Sequence, residues 1–319
     1  KLLIYYLAES AKCGRDIMFD QNFKYNLTIR RALEQIYTTY EGDKSCPEFT
    51  AMEKYLKKVW FANGIHHHYS NDKFAPEFSR EWFAEQLKGV DTGVVSHEEL
   101  LEVIFNPALY SSRLNQTAGV DMIAASAGNY YEGLTQKEVE KFYNKMIDPK
   151  DPRPISYGLN SKLVKKNGKI YEQTYKVGGM YTEALEQIVF WLEKAEAVAE
   201  EPLKTTIGLL IKYYKSGDLK DFDAFNISWV QDTQSNVDFV NGFTETYGDP
   251  LGFKASWESV VNFIDKAACA RTQIISENAQ WFEDNAPIKP EYRKPVVKGV
   301  SAKVITVAML GGDCYPTTP

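Results

Sequence analysis

Apolar positions recur at helical spacing along most of this chain. From Asn26 to Tyr40 a capping Asn is followed by Ile29, Ala32, Leu33 and Ile36, one stripe of a helix turned inward. The same period runs through 49–61, 79–87, 96–105, 135–147, 183–199, 203–215 and 256–282. Two of these segments open on a capping box, Ser96-x-x-Glu99 and Thr135-x-x-Glu138. The start, Lys1 to Ser10, reads as helix rather than signal peptide, because Glu9 and Arg15 follow its short apolar stretch at once. The clearest β pattern is 162–177, two β-prone runs joined by Asn167-Gly168, which favours a type I′ hairpin turn. With the apolar run of 296–310 it predicts a modest sheet beside many helices, and the three prolines of 285–295 predict an extended crossing between parts of the fold. The last apolar run meets Gly311-Gly312-Asp313, a turn after which a strand normally pairs with the next segment, so the chain reads as the front part of a larger protein.

Composition narrows the class. Of the residues 44% are hydrophobic and 25% charged, enough apolar material for a core. The net charge of -6 and scattered basic residues speak against nucleic acid or an anionic membrane as partner. No apolar run approaches the length of a membrane span. Cys13, Cys46, Cys269 and Cys314 form no C-x-x-C pair, which fits free thiols and a cytoplasmic location.

Candidate chemistry is sparse. His66, His67 and His68 are consecutive, and alternate side chains of an extended segment face opposite ways, so at most His66 and His68 could share a metal ion; loop hydrogen bonding explains them as well. His97-Glu98-Glu99 resembles the start of a zinc-binding helix but lacks the second histidine a turn later. Nucleophile elbow, Walker loop and dinucleotide fingerprint are all missing. What remains is Glu245 and Tyr247, two apart before Gly248-Asp249-Pro250. In an extended segment they would project to one side, where a carboxylate and a phenol could take an ammonium and a carbonyl; equally, Glu245 could pair with a local cation and Tyr247 pack under the turn.

The stretch Phe243-Thr-Glu245-Thr-Tyr247-Gly-Asp249-Pro250-Leu-Gly252-Phe-Lys254-Ala-Ser-Trp257-Glu258 resembles the signature of the dipeptidyl peptidase III family, in its bacterial-type form. The tail 304–316 is similar to that family's barrel strand, and Tyr69-Ser-Asn-Asp72-Lys73-Phe74-Ala-Pro76 to one of its cleft loops. Lys254 stands where the family usually has Arg, Ser259 where Gly is common, and three histidines where an Asn-Tyr segment is usual. The family's zinc motif, His-Glu-x-x-Gly-His, is not in the chain.

The resemblance implies an α+β fold, mostly helical with a small β-barrel or sheet, forming one lobe of a two-lobed metallopeptidase. Residues 1–255 would be the substrate-binding lobe, 256–295 a helix and linker entering the zinc-bearing lobe, and 296–319 a strand returning to the first. The complete protein would release dipeptides from the free N-terminus of oligopeptides. Its one zinc ion would be bound by residues beyond Pro319, and this chain alone would be inactive. Glu245 would grip the peptide ammonium, and Tyr247 would hydrogen-bond a carbonyl near the scissile bond. His68, Tyr69 and Asp72 would line the cleft, and Cys314, Tyr315 and Pro316 would pair with the extended peptide by β-augmentation. Two other readings are a non-catalytic peptide-binding or scaffold protein built on the same lobe, and a hydrolase using a metal on His66 and His68.

Overall fold

A computed structural model describes residues 1–298 and 304–312. Six helices come first: α1 (Leu2–Cys13), α2 (Arg15–Asn22), α3 (Asn26–Thr39), α4 (Pro47–Ala62), α5 (Arg80–Gln86) and α6 (His97–Phe105). Strand β1 (Tyr131–Glu132), helix α7 (Gln136–Asn144) and strands β2 (Ser161–Lys166) and β3 (Lys169–Thr174) follow. Next are α8 (Thr182–Val198), α9 (Leu203–Ser216) and α10 (Leu219–Gln231). The chain continues through β4 (Val237–Glu245), β5 (Ser256–Ile264), α11 (Lys266–Glu277), α12 (Ala279–Asp284) and β6 (Ile305–Gly311).

The fold is α+β and mostly helical, with two open three-stranded sheets among the described residues rather than a closed barrel. One sheet is ordered β1-β2-β3, the other β4-β5-β6 with every pair antiparallel. The hairpin expected at Asn167-Gly168 forms between β2 and β3, and both turn residues take the positive φ that a type I′ turn needs, 52° and 76°. That hairpin and β6 belong to different sheets, where the sequence suggested one.

Two sequence expectations are corrected. The stretch 256–282 is not one helix: Ser256–Ile264 is the central strand of the second sheet, and α11 begins only at Lys266. Its residues read with either period over a short window, but Trp257, Ser259 and Val261, two apart, are all buried against α1 and α2, which is a strand's arithmetic. Nor does Asn26 cap α3. It lies inside the helix, fully buried, donating to the Phe19 carbonyl at 3.1 Å and accepting from the Ile65 N–H at 3.1 Å, so it fastens α2 and α3 to the start of the histidine loop. The backbone there comes so close that a Cβ on Gly64 would lie 2.2 Å from the Asn26 amide.

Three apolar cores hold these elements. The largest joins α1, α8 and α9 to the second sheet through Leu7, Leu185, Ile188, Leu192, Leu210, Phe243 and Trp257. A second lies among α2 to α6, around Phe19, Ile29, Leu33, Met52, Leu56 and Phe83. A small third, Leu134, Val139, Tyr143 and Leu163, seats the hairpin on α7 and touches Leu251 and Phe253. Between the first two, the buried carboxamide of Gln21 donates to the Ala255 carbonyl at 3.0 Å and accepts from the Trp257 N–H at 2.8 Å, binding the end of α2 to the entry of β5.

Candidate functional site

The turn between β4 and β5 carries Tyr247, and it is built from behind. Asp249, 2% exposed, accepts from the Tyr131 hydroxyl at 2.6 Å and from the backbone N–H groups of Leu251, Phe253 and Lys254 at 3.2, 2.8 and 2.9 Å. A buried carboxylate supplied with this many donors fixes the whole turn. Burial still pushes the Asp249 carboxyl above its ordinary value, the donors pulling the other way. Lys254 follows the same turn inward: its ammonium is fully enclosed, donates to Ser161 Oγ at 3.0 Å and to the Tyr143 hydroxyl, and lies 3.8 Å from Glu172. The turn is thereby pinned to β1, to α7 and to the β2–β3 hairpin.

Opposite it stands the loop 66–72. His66 is buried and its Nε2 lies 2.8 Å from the Tyr110 carbonyl, to which it donates. His67 Nδ1 accepts from the N–H groups of Tyr69 and Ser70 at 3.2 and 3.1 Å, and the His67 N–H donates to the Asp72 carbonyl at 2.8 Å, closing the loop on itself. Lys73, just beyond, donates to the Val103 carbonyl at 3.0 Å and to the carbonyls of Asn106 and Leu109 at the end of α6.

Across 179 residues of sequence the two segments meet. The Tyr247 hydroxyl lies 3.5 Å from His68 Nε2, and the rings stand edge to face with centroids 6.0 Å apart. Tyr69 packs edge-on against His68 at 4.9 Å and is itself 62% exposed; Tyr247 is 46% exposed. The result is a wall of one imidazole and two phenols open to solvent, able to accept and donate hydrogen bonds and to stack on a planar group. Of the residues singled out in the sequence, the structure brings together Tyr247, His68 and Tyr69. Asp72 is exposed on the same loop, where it pairs as an isolated bridge with Ser112. Glu245, the last residue of β4, lines a separate cavity of about 330 Å³ with Phe225, Trp229, Phe239, Thr244 and Glu258. Cys314, Tyr315 and Pro316 lie outside the described residues.

His66 and His68 do not converge on one point: the first faces the Tyr110 carbonyl, the second faces Tyr247. Among the described residues no three His, Cys, Asp or Glu side chains come together as metal ligands. No described helix is long and apolar enough to cross a membrane. Two residues outside the expected site set help shape it. Asp249 looked like ordinary turn chemistry, and Arg113 carries no motif; only the fold shows it beneath the histidine loop.

The profile of Peptidase family M49 matches residues 155–307, which include the Tyr247 turn. The chain is 28% identical over 154 residues to "Nudix hydrolase 3" of Arabidopsis thaliana, 48% of this chain and 19% of that protein. It is 23% identical over 290 residues to "Dipeptidyl peptidase 3" of Dictyostelium discoideum, 83% of this chain and 40% of the relative. The solved structure of DPP III from Caldithrix abyssi superposes with a TM-score of 0.65 at 19% identity, over 98% of this chain and 48% of that one. The chain thus spans less than half the length of each of these relatives.

Proposed function

We propose, from the premise that this chain belongs to peptidase family M49, that of the dipeptidyl peptidases III, that it is the peptide-binding lobe of a dipeptidyl peptidase that releases dipeptides from the free N-terminus of oligopeptides. The observation that carries this reading is the meeting of Tyr247 with His68, since the two segments that bear the family resemblance form a single wall. Within it Tyr247, 46% exposed, presents its hydroxyl to solvent and donates its proton to a peptide carbonyl. Glu245, two residues before Tyr247 but lining its own cavity, supplies the carboxylate that receives the peptide ammonium in this reading. His68, Tyr69 and Asp72 bound the cleft on the other side. Cys314, Tyr315 and Pro316 belong to the same proposal as the segment that pairs with the extended peptide backbone, and residues 1–255 as the lobe that holds it.

Such enzymes use zinc, which activates a water molecule when bound. The described residues do not fit it, since no ligand set converges among them, so the part proposed for these residues is binding and orientation alone. The alternative reading of the same lobe is a peptide-binding protein without hydrolysis.

The test is a matched pair of peptides, one with a free N-terminus and one N-acetylated, given to the full protein. Dipeptide release from the first only supports an exopeptidase. Binding of the first without cleavage selects the non-catalytic reading. Equal cleavage of both, or no interaction with either, overturns both.

A further inference from the structure

We infer that Arg113 is the positioning residue of this wall: its buried guanidinium sets the height of the histidine loop at which His68 meets Tyr247. The inference rests on the proposal that Tyr247 engages the peptide.

Arg113 is only 5% exposed, yet its guanidinium reaches one backbone carbonyl and two side-chain amides. Nη2 donates to the His68 carbonyl at 3.1 Å, Nε to Asn71 Oδ1 at 3.2 Å, and Nη1 to Asn22 Oδ1 at 3.2 Å. The Arg113 N–H adds a bond to the Asn71 carbonyl at 2.9 Å. Asn22 is the last residue of α2, and Asn71 is where the loop reverses, with a φ of 63°. One rigid planar fork therefore measures the distance from a helix end to both arms of the loop.

These acceptors are neutral amide oxygens. Enclosing a cation against neutral partners carries a desolvation cost, and a smaller polar or apolar residue would fill the space without it. What such a residue lacks is donors aimed in three fixed directions. Lysine keeps the charge and loses the fork, since its ammonium is a point donor on a flexible stem. Because His68 is held through its own carbonyl, loss of the fork moves the imidazole directly. Tyr247, fixed from its own side by Asp249, would not follow.

The experiment uses Arg113→Lys, with Arg113→Ala as a harsher companion, and has two arms. In the first, the imidazole signals of the four histidines are followed by heteronuclear NMR. With Arg113→Lys the His68 signals are expected to move toward those seen when the ring opposite is removed by Tyr247→Leu, while His97, bonded to the Val90 carbonyl on another part of the fold, stays in place and reports an intact fold. In the second arm, dipeptide release by the full protein is measured for Arg113→Lys alone and combined with Tyr247→Phe. The single change is expected to lower kcat about tenfold. On the Tyr247→Phe background it is expected to cost less than about twofold, since both act through one wall.

Unmoved His68 signals in Arg113→Lys overturn the inference, and so does an equal loss of kcat on both backgrounds, which is what a merely structural residue gives. Should Tyr247→Phe alone leave dipeptide release unchanged, the functional reading fails, and the NMR arm still decides whether Arg113 sets the loop.

Discussion

Lys254 and Glu172 form an ion pair inside the protein, the ammonium fully enclosed and 3.8 Å from the carboxylate. Glu172 also accepts from the hydroxyls of Tyr143 and Ser161, both at 2.7 Å, so one carboxylate gathers the turn, the hairpin and α7. Burial pulls the Lys254 ammonium down to about 7 from its ordinary 10.5, with Glu172 and Asp249 opposing.

That depression sets a direction with pH. Between about 7 and 10.5 the unfolded chain holds a proton on Lys254 that the folded chain has released, so the folded state gains stability as pH rises through this window and loses it as pH falls toward 7. The difference in melting temperature between the wild type and Lys254→Met is therefore expected to shift in favour of the wild type from pH 7 to pH 10. A difference that stays constant across that range would mean that Lys254 keeps its proton in the folded state and that burial does not depress it.

His66 makes a matching prediction on the acid side. Burial, with Arg113 and Lys73 nearby, lowers its imidazole from 6.5 to about 4, and its buried Nδ1 has no hydrogen-bond partner. The unfolded chain takes up a proton between these values and the folded chain does not, so stability present above pH 6.5 is lost as pH falls toward 4. His66→Gln keeps an N–H for the Tyr110 carbonyl and removes the titration. Denaturant unfolding from pH 7 to pH 4 should show a shallower loss for that variant; parallel curves would count against it.

Gly14 is set by a close approach rather than by its backbone angles. It joins α1 to α2 with an ordinary right-handed φ, but a Cβ there would stand 2.2 Å from the indole of Trp257, which is fully buried between helices and sheet. Gly14→Ala is expected to cost about 1–3 kcal/mol by overpacking, read as a fall in the unfolding midpoint. A neutral outcome would mean that Trp257 has room to withdraw.

For the reaction itself, Tyr247→Phe should lower kcat by about 100- to 1,000-fold if the phenol donates to oxygen in the transition state. The Michaelis constant should change little, because a transition-state donor adds little to ground-state binding. Glu245→Ala should raise the Michaelis constant for peptides with a free amino terminus. Steady-state kinetics of the two variants separate these roles; the reverse assignment of effects would exchange them.

The helices with one clear apolar stripe were legible from sequence, and so was the Asn167-Gly168 hairpin, because local periodicity and turn chemistry decide them. The central strand β5 was not. Ser256–Ile264 is buried on a pattern that a helix could also produce, and only its partners β4 and β6 settle the matter. Tyr247 was readable as a candidate from its motif. Its neighbour across the cleft was readable only as a separate loop, since nothing local records a contact over 179 residues. Arg113 was invisible for the same reason, the three acceptors of its guanidinium being 42, 45 and 91 residues away.

The last turn of α2 has a wider reach than its eight-residue helix suggests. Three successive side chains leave it for three destinations: Asp20 receives the Tyr181 hydroxyl and the Asn129 amide, Gln21 stands in for a neighbouring strand at the entry of β5, and Asn22 receives Arg113. Both walls of the cleft are thus referenced to the same few ångströms of helix. A small rotation of α2 about its own axis would carry the Tyr247 side and the His68 side together, as two jaws mounted on one spindle, and under the proposed function a peptide between them would feel the change at both ends at once.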